Sequence, residues 1–467
     1  MLKQLRRVHF LGIGGYGMSA LAHILLQSGY DVRGSDIKSS KLTDHLIKAG
    51  ALVYIGHRAE QLQDAELVVY STAISPDNSE LAAAKERGIP IWHRSELLAA
   101  ILNEGYGVAI AGTHGKTSTT AMVSLVMERG GLDPTAIIGG EVSFFQGNAR
   151  LGESKYIVAE ACESDHSFLR YRPYVALVTN IEADHLEHYN GSFTKLKETY
   201  RDFINNVRDG GMAIVCGDDP IVQDLLPQFR PRLMSYGLSD GLDIRGEAIE
   251  LKNLSSRFQV FYKEKHMGEI ELNVPGIHNV LNALGTIAVA LLLELDFSVI
   301  KEALFSFDGA KRRFEIIGEK EGILVVDDYA HHPTEVKAAL AAARQSERRV
   351  ICAFQPHRYT RTNFLWKEFV EAFEGADIVF LDQIYSAGED PIPEINSHRL
   401  AKEIRERVHA EVHVVEDQSE MVSSIKRIAR KGDLVITMGA GDIWQVGIKL
   451  LENLRSTPNQ VNSFQQT

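Results

Sequence analysis

The chain has 467 residues, of which 45% are hydrophobic and 24% are charged, and its formal net charge at pH 7 is −12. This length indicates two to four domains, and the composition is typical of a soluble globular protein and excludes a disordered one. No apolar run approaches the roughly 20 residues of a membrane span, and a strand pattern begins by Val8, which leaves no room for the apolar segment of a signal peptide.

Charge and cysteine content restrict the expected partners and compartment. The negative net charge argues against broad binding of nucleic acid. Three widely spaced cysteines, Cys162, Cys216 and Cys352, cannot form a complete disulfide framework. We therefore expect a cytoplasmic protein, a monomer or a homodimer, without nucleic-acid or membrane partners.

Residues 1 to 104 alternate short apolar strands with helical patterns. The strands are predicted at 7–13, 31–35, 52–55 and 67–71, and the helices at 18–28 and 42–49. Because each crossover helix covers a face of the sheet, this alternation predicts a parallel sheet.

The first strand-to-helix turn of this region is rich in glycine, at Gly12, Gly14, Gly15 and Gly17. Glycines at such a turn let the backbone approach a diphosphate at a helix N-terminus. Asp36 ends the next strand, where a carboxylate can meet a ribose hydroxyl. A second turn, Ser71-Thr72-Ala73, offers hydroxyls and amides to a phosphate or caps a helix. The pattern favours a nucleotide site, and a merely tight turn is the alternative.

From Gly105 the α/β pattern restarts with a buried strand at 107–111 and a helix at 117–129. The turn between them consists of Gly112, Thr113, His114, Gly115, Lys116, Thr117 and Ser118. Glycines, a lysine and a threonine at a helix start form a phosphate cradle, in which the lysine neutralises phosphate and the threonine hydroxyl ligates Mg²⁺. The generic motif requires glycine at position 110, where this chain has Ile110.

Two further strands of the central region end in polar residues. The strand at 155–159 is followed by Glu160, and the strand at 175–179 leads to Asp184 and His185. Because ligands bind at the carboxyl ends of parallel strands, we expect Glu160 and His185 to converge on the metal at the phosphate loop. A surface carboxylate and an ordinary hydrogen-bonded histidine are the alternatives.

Residues 212 to 275 are predicted to be rich in β-structure, and a long apolar helix follows at 280–295. Asn279 and Asn282 stand near the start of that helix. Their amides either cap the helix or contact an adenine edge.

A third region begins at residue 309 with the basic run Lys311-Arg312-Arg313. Strands are predicted at 323–326, 349–354, 378–381, 412–415 and 434–438, with a helix at 334–344 and a disordered polar tail at 456–467. Polar clusters follow the first two strands and include His331, His357, Arg358 and Arg361. Guanidinium groups bind a carboxylate through paired hydrogen bonds, so this region suits a partner that carries a carboxylate.

We therefore predict an α/β protein of three domains. These are an N-terminal Rossmann-like domain (1–104), a central P-loop ATPase-type α/β domain (105–308) and a C-terminal Rossmann-like domain (309–467). Two phosphate-binding turns and a cluster for a small acid indicate an ATP-dependent ligase.

Seven segments, in order along all three regions, resemble the Mur ligase family. They are GIGGYGM at 12–18, GTHGKT at 112–117, EACESDHSFL at 160–169, TNIEADHLEHY at 179–189, GIHNVL at 276–281, DDYAHHPTEV at 327–336 and FQPHRYTRT at 354–362. The resemblance implies an enzyme of peptidoglycan precursor synthesis, and hence of cell-wall biogenesis, cell shape and cell division. It is strongest to members that join L-alanine to UDP-N-acetylmuramate with ATP and Mg²⁺ through an acyl-phosphate.

The same resemblance implies a role for each candidate residue. UDP-N-acetylmuramate would lie on Gly12, Gly14, Gly15, Gly17, Asp36, Ser71, Thr72 and Ala73. ATP would bind Gly112, Thr113, His114, Gly115, Lys116, Thr117, Ser118, Asn279, Asn282, Arg313 and Asp328, with metal at Thr117, Glu160 and His185. L-Alanine would meet Tyr329, His331, His357, Arg358 and Arg361. The catalytic set would be Lys116, Glu160, His185, His331, Arg313 and Asp328, with His331 orienting or deprotonating the amine.

The sequence departs from the family at one position of interest and leaves three other functions open. Cys162 stands where the family commonly has aspartate, which leaves Glu160 as the metal candidate of that segment.

One alternative function is that of a ligase of the same family that attaches a whole tripeptide. The others are an NAD-dependent oxidoreductase built on the turn at Gly12, and a non-catalytic nucleotide-binding regulator.

Overall fold

Three β-sheets with helices packed on them organise the chain. The computed structural model describes residues 4–164 and 166–454, so the tail at 456–467 lies outside the described residues. The predicted α/β architecture is confirmed. The exact domain boundaries stay a prediction.

The first sheet has five parallel strands in the order β3-β2-β1-β4-β5. Its strands are β1 (Arg7–Leu11), β2 (Asp31–Asp36), β3 (Leu52–Ile55), β4 (Leu67–Tyr70) and β5 (Ile91–His93). The accompanying helices are α1 (Tyr16–Gln27), α2 (Lys41–Lys48), α3 (Ser79–Glu86) and α4 (Arg94–Leu102). Side-chain caps begin three of these helices, since Ser40 caps α2, Asn78 caps α3 and His93 caps α4.

The second sheet has ten strands in the order β15-β14-β13-β12-β11-β10-β6-β9-β7-β8. Its strands are β6 (Tyr106–Ala111), β7 (Thr135–Val142), β8 (Gly147–Arg150), β9 (Tyr156–Glu160), β10 (Val175–Val178), β11 (Met212–Cys216), β12 (Arg232–Gly237), β13 (Ile244–Lys252), β14 (Ser255–Tyr262) and β15 (Lys265–Leu272). The helices are α5 (Lys116–Arg129), α6 (Phe193–Asn205), α7 (Pro220–Leu225), α8 (Ile277–Leu292) and α9 (Phe297–Phe305). The central strands are parallel and almost entirely buried, which explains their unbroken apolar sequences.

The third sheet has six strands in the order β16-β17-β21-β18-β19-β20, and only β16 is antiparallel to its neighbour. Its strands are β16 (Glu315–Lys320), β17 (Ile323–Asp328), β18 (Arg349–Phe354), β19 (Ile378–Leu381), β20 (Glu411–Val414) and β21 (Asp433–Met438). The helices are α10 (Pro333–Arg344), α11 (Tyr359–Phe364), α12 (Trp366–Val370), α13 (Ser397–Arg407), α14 (Gln418–Ile428) and α15 (Trp444–Asn453).

The chain separates into two compact units. The first contains the five-stranded sheet and most of the ten-stranded sheet, and the second contains the six-stranded sheet from Lys311 onward together with two short segments, 250–256 and 273–278.

None of the helices within residues 4–164 and 166–454 has the length and apolar content needed to cross a membrane.

The first sheet requires a glycine at position 34 in β2. A Cβ atom there would lie 2.7 Å from the carbonyl oxygen of Phe10 and 2.7 Å from Cδ1 of Ile13. We expect Gly34→Ala to lower the melting temperature by several degrees, since overpacking of this kind costs about 1–3 kcal/mol. Thermal unfolding followed by circular dichroism measures the effect. Gly147→Ala is the control, because a Cβ there meets nothing closer than 3.9 Å, and equal melting temperatures for the two variants would contradict the prediction.

Candidate active site

The turn between β6 and α5 is held in shape by the residues that follow β10. The amide of Thr113 donates to the carbonyl of Asn180 (3.1 Å), and the amide of His114 donates to the side-chain oxygen of Asn180 (2.8 Å). Gly112 has φ +140°, and a Cβ there would overlap the hydroxyl of Thr179. Gly115 has φ +80° and precedes the helix directly. The backbone therefore forms a tight glycine turn at a helix N-terminus, the arrangement that binds phosphate.

Lys116 is the first residue of α5, and its ammonium group turns back over the loop. Nζ lies 3.0 Å from both carboxylate oxygens of Glu163 and also donates to the carbonyls of Gly112 and Thr113. The side chain of Glu163 is 2% exposed. Burial lowers the pKa of Lys116, but Glu163, Cys162 and Glu160 together outweigh burial and raise the pKa above its ordinary value. The lysine is therefore a buried, charged group at the phosphate turn.

Glu163 is a site residue that the sequence reasoning missed. It follows Glu160 by three residues, and the hydroxyl of Tyr189 holds its backbone carbonyl. A second carboxylate just beyond a strand end was visible in the sequence, but nothing there indicated that it would pair with Lys116. Beside it, burial raises the pKa of the Cys162 thiol, so a neutral group stands between Glu160 and Glu163 in the sequence.

Glu160 ends β9, next to the phosphate turn. It pairs in register with Ile110 on β6, and its Oε1 accepts a 2.6 Å hydrogen bond from the amide of Gly139. It also lies near enough to Lys116 to raise the pKa of that ammonium. A carboxylate at this strand end is suited to a hard cation, since Mg²⁺ prefers oxygen ligands.

His185 contacts carboxylates of its own segment. Its Nε2 lies 3.6 Å from Asp184, and its Nδ1 lies 3.8 Å from Glu187. The hydrogen bond to His185 lowers the pKa of Glu187 to about 2. Glu182, three residues before His185, pairs with His114 of the phosphate turn at 3.4 Å. The structure thus surrounds His185 with acidic groups, and the predicted metal role stays a prediction.

Asn279 and Asn282 lie on α8, where Asn282 faces the phosphate turn. A Cβ on Gly115 would lie 2.5 Å from the amide oxygen of Asn282, and the amide nitrogen of Asn282 donates to Asn279 (3.2 Å). Both asparagines are buried. Their amides are therefore positioned beside the turn, as a contact to nucleotide requires.

The glycine turn after β1 is fastened to β2. The amides of Gly12 and Ile13 both donate to the carbonyl of Ser35 (2.8 and 3.0 Å), and the amide of Gly14 donates to Oδ2 of Asp36 (2.8 Å). Asp36 thus contacts the glycine turn itself. The turn at Ser71, Thr72 and Ala73 follows β4, and the side chain of Ile74 lies 3.2 Å from the Cβ position of Gly12. The two predicted phosphate turns are therefore neighbours.

A buried carboxylate that the sequence reasoning missed supports the glycine turn from behind. Glu80 is fully buried and accepts a 2.6 Å hydrogen bond from the hydroxyl of Ser35. The rings of His9 and His57 each approach the same carboxylate oxygen at 3.4 Å. Glu80 therefore fixes the residue whose carbonyl holds Gly12 and Ile13.

In the second unit, polar residues gather at the end of β17. Asp328 accepts hydrogen bonds from the amides of Phe314 and Ala330, both at 2.7 Å. Burial raises the pKa of Asp328 to about 7, although Arg313 opposes the shift. The guanidinium groups of Arg312 and Arg313 lie over the ring of Tyr329, at 4.9 and 5.1 Å from its centroid.

The residues that follow β17 and β18 and were predicted to bind the amino-acid substrate lie close together. His331 Nδ1 is 2.9 Å from the carbonyl of Tyr329 and 3.3 Å from Glu335, a carboxylate that the sequence reasoning missed. The rings of His331 and His357 have centroids 5.9 Å apart. Arg361 is buried, and its guanidinium is 3.2 Å from Nδ1 of His357. The cluster supplies cationic donors and imidazoles within one small area.

Arg358 opens α11 beside this cluster. Its φ is +70°, and its guanidinium lies 4.0 Å from Glu389. Arg358 is only part-exposed, so its charge remains near the cluster. All five residues that were predicted to bind the amino-acid substrate thus lie at the same end of the third sheet.

Family models match three consecutive stretches of the chain. The Mur ligase family catalytic domain matches residues 7–106, the Mur ligase middle domain matches 110–290, and the Mur ligase glutamate ligase domain matches 312–441. Similar curated proteins include UDP-N-acetylmuramate–L-alanine ligases of Trichlorobacter lovleyi (46% identity, 97% of this chain and 100% of that protein) and Geobacter sulfurreducens (47%, 97% and 99%).

Solved structures give the same likeness. The crystal structure of UDP-N-acetylmuramate–alanine ligase from Thermotoga maritima superposes with a TM-score of 0.82 at 30% identity and covers 96% of this chain and 98% of its own. A murein peptide ligase from Psychrobacter arcticus, at 24% identity and a TM-score of 0.71, covers 97% and 100% and shares the fold.

The raised pKa of Asp328 predicts a pH dependence of stability. Because the folded state keeps a proton that the unfolded carboxyl loses near its ordinary pKa of about 4, this contribution is complete below pH 4 and is lost as the pH rises through about 7. We expect Asp328→Asn to reduce the fall in melting temperature between pH 5 and pH 8, measured by scanning calorimetry. Part of the fall remains, since burial also raises the pKa of Asp327. Asp390→Asn, at an exposed position, is the control, and an unchanged slope in Asp328→Asn would contradict the assignment.

Proposed function

Because the chain belongs to the Mur ligase family, as its seven motifs predict, we propose that it joins L-alanine to the carboxylate of UDP-N-acetylmuramate at the expense of ATP. The observation that carries the proposal is the likeness, over almost the full length of the chain, to UDP-N-acetylmuramate–L-alanine ligases. The phosphate turn and the cluster of arginines and histidines in this chain agree with that activity. We further infer a cytoplasmic role in peptidoglycan precursor synthesis, as a monomer or homodimer without nucleic-acid or membrane partners.

UDP-N-acetylmuramate is assigned to the first sheet. The glycine turn at Gly12, Gly14, Gly15 and Gly17 and the exposed turn at Thr72 and Ala73 would together receive the diphosphate, since two adjacent backbone turns without bulky side chains allow an anion to approach closely. Asp36 would lie near the uridine. Its bond to Gly14 supports this, because the carboxylate is held at the edge of the same turn.

ATP is assigned to the turn at 112–118. Lys116 and the turn amides would face the phosphates, and Thr113, His114 and Ser118 would line the same turn. Asn279 and Asn282 would contact the nucleoside. Arg313 and Asp328 are also assigned to ATP.

Thr117 and Glu160 fit a magnesium ion that accompanies ATP. A hydroxyl and a carboxylate oxygen are ligands that Mg²⁺ accepts, and both residues lie at the phosphate turn. His185, ringed by Asp184 and Glu187, would serve a second metal position. A bound ion would neutralise negative charge on the transferred phosphoryl group.

The reaction consists of two transfers. The muramate carboxylate attacks the γ-phosphorus of ATP and releases ADP, while Lys116 and the turn amides stabilise the charge that develops. The amine of L-alanine then attacks the acyl carbon of the acyl-phosphate, an amide bond forms, and inorganic phosphate leaves.

L-Alanine is assigned to the cluster of the third sheet. Arg361 and Arg358 would hold its carboxylate, with Tyr329 and His357 beside them. His331 would orient or deprotonate the amine, which must be neutral to attack. The contact between His331 and Glu335 supports this role, because a carboxylate fixes the orientation of an imidazole.

Product analysis tests the proposal directly. ADP and phosphate should appear only when UDP-N-acetylmuramate, L-alanine and ATP are all present, and the new product should gain the mass of one alanine residue. Phosphate release with a tripeptide but not with L-alanine would favour the tripeptide ligase instead. Reduction of a nicotinamide without turnover of ATP would refute the ligase.

Lys116→Ala should reduce turnover by orders of magnitude, since the ammonium acts on the transferred phosphoryl group. Affinity for UDP-N-acetylmuramate, measured by isothermal titration calorimetry, should stay near the wild-type value because that substrate lies on another sheet. Lys85→Ala, on the surface of α3, is the matched control. A folded Lys116→Ala protein that loses affinity for the UDP-substrate would show that the two sites are not separate.

Arg361→Ala should raise the KM for L-alanine by roughly 10- to 100-fold, as expected for a lost charge-assisted pair with a carboxylate. The KM values for ATP and UDP-N-acetylmuramate should change little. Steady-state phosphate release with one substrate varied at a time measures all three. Arg407→Ala, on α13 of the same unit, is the control, and an unchanged KM for alanine in Arg361→Ala would move the amino-acid site elsewhere.

A further inference from the structure

Four rings form a continuous row across the strand ends of the third sheet. Tyr329 meets His331 edge-on with centroids 5.3 Å apart, and His331 meets His357 at 5.9 Å. His357 is in turn stacked on Tyr385, with centroids 5.5 Å apart and ring planes only 9° from parallel. The first three rings belong to the proposed amino-acid site. Tyr385 extends the row and has no role in the site described above.

Tyr385 lies in the loop after β19, and backbone hydrogen bonds fasten this loop to the segment after β18. The amide of Arg358 donates to the carbonyl of Tyr385, and the amide of Tyr385 donates to the carbonyl of Pro356, both at 2.8 Å. These two bonds flank His357 on either side. The tyrosine ring is therefore held in place against the imidazole by its own backbone.

Further contacts continue along the same loop. Glu389 accepts hydrogen bonds from the amide and the hydroxyl of Thr360, at 3.1 and 2.6 Å, and lies 4.0 Å from the guanidinium of Arg358. On the other side, a Cβ at Gly441 would lie 2.9 Å from the ring of Tyr385. The loop thus packs closely against the segment that supplies His357, Arg358 and Arg361.

We propose that Tyr385 is a positioning residue for the amino-acid substrate and acts by fixing the plane of the His357 ring. The inference rests on the proposed function, since it assigns a part in alanine binding. His357 Nδ1 is 3.2 Å from the guanidinium of Arg361, so rotation of the imidazole displaces the partner of that guanidinium. The ring of Tyr385, stacked on the face of the imidazole, opposes this rotation. Tyr385 therefore sets the orientation of the carboxylate clamp without contacting alanine.

The exposure of Tyr385 separates this role from a role in the core. Its side chain is 41% exposed, whereas Phe354 and Phe373 in the core of the same sheet are completely buried. Truncation of Tyr385 therefore removes the stack and leaves the apolar core intact. The hydroxyl takes no part in the stack, so phenylalanine preserves the interaction and alanine abolishes it.

The test compares Tyr385→Ala and Tyr385→Phe with the wild-type protein in steady-state phosphate release. We expect Tyr385→Ala to raise the KM for L-alanine by roughly fivefold to tenfold, the range that the loss of an aromatic pair supports. The kcat and the KM values for ATP and UDP-N-acetylmuramate should stay within about twofold of wild type. Tyr385→Phe should restore the wild-type KM for alanine. Phe364→Ala, which removes a 58% exposed ring from the same unit, is the matched control.

Each other outcome overturns the inference. An unchanged KM for alanine in Tyr385→Ala, or an equal rise in all three KM values, shows that the stack does not position the clamp. A Tyr385→Phe protein that behaves like Tyr385→Ala shows that the hydroxyl and not the stack is responsible. Should Tyr385→Ala melt at a lower temperature, Tyr385→Leu, which keeps apolar bulk without a ring, must show the same selective rise. If the wild-type protein releases no phosphate with L-alanine, the proposed function itself is refuted. If the wild-type protein is active but Tyr385→Ala leaves the KM for alanine unaltered, only the positioning role of Tyr385 is refuted.

Discussion

The buried ion pair between Lys116 and Glu163 is the contact on which the central site depends. A charged ammonium removed from water is costly, and here a carboxylate and two loop carbonyls compensate the charge together. Because two of these acceptors are the carbonyls of Gly112 and Thr113, the same contacts hold the glycine turn in shape. The turn is thus organised around the charge that an incoming phosphate would meet.

The same principle of construction recurs in each sheet. A strand ends, a tight turn follows, and the polar groups of the turn are fastened to the neighbouring strand or to the loop that follows that strand: Gly12 to Ser35, His114 to Asn180, and Arg358 to Tyr385. Parallel strands bring these turns to one edge of each sheet, where ligands bind. Each candidate substrate is therefore assigned to turns that are fixed by neighbouring strands.

The buried parallel strands could be predicted closely from the sequence. The predicted strands at 349–354 and 378–381 agree with the structure to the residue, because short apolar runs bounded by polar residues have few alternatives. The prediction at 52–55 is equally close, although that strand lies at the edge of its sheet and is partly exposed. The edge strands β8 and β16 were missed because their sequences, GNAR and EIIGEK, are polar or irregular. Turn residues such as Lys116 and His331 were found because they follow strand ends directly. Glu80, Glu163 and Tyr385 were not found, since their roles depend on partners that only the folded chain brings near.

The proposed reaction depends on activation of the muramate carboxylate by transfer of the γ-phosphoryl group. The most direct measurement uses UDP-N-acetylmuramate labelled with ¹⁸O in its carboxylate, with mass spectrometry of the phosphate released when L-alanine and ATP are added. We expect one ¹⁸O atom in each phosphate, because the bridging oxygen of the acyl-phosphate leaves with phosphorus. Unlabelled phosphate, or label recovered in AMP, would contradict it.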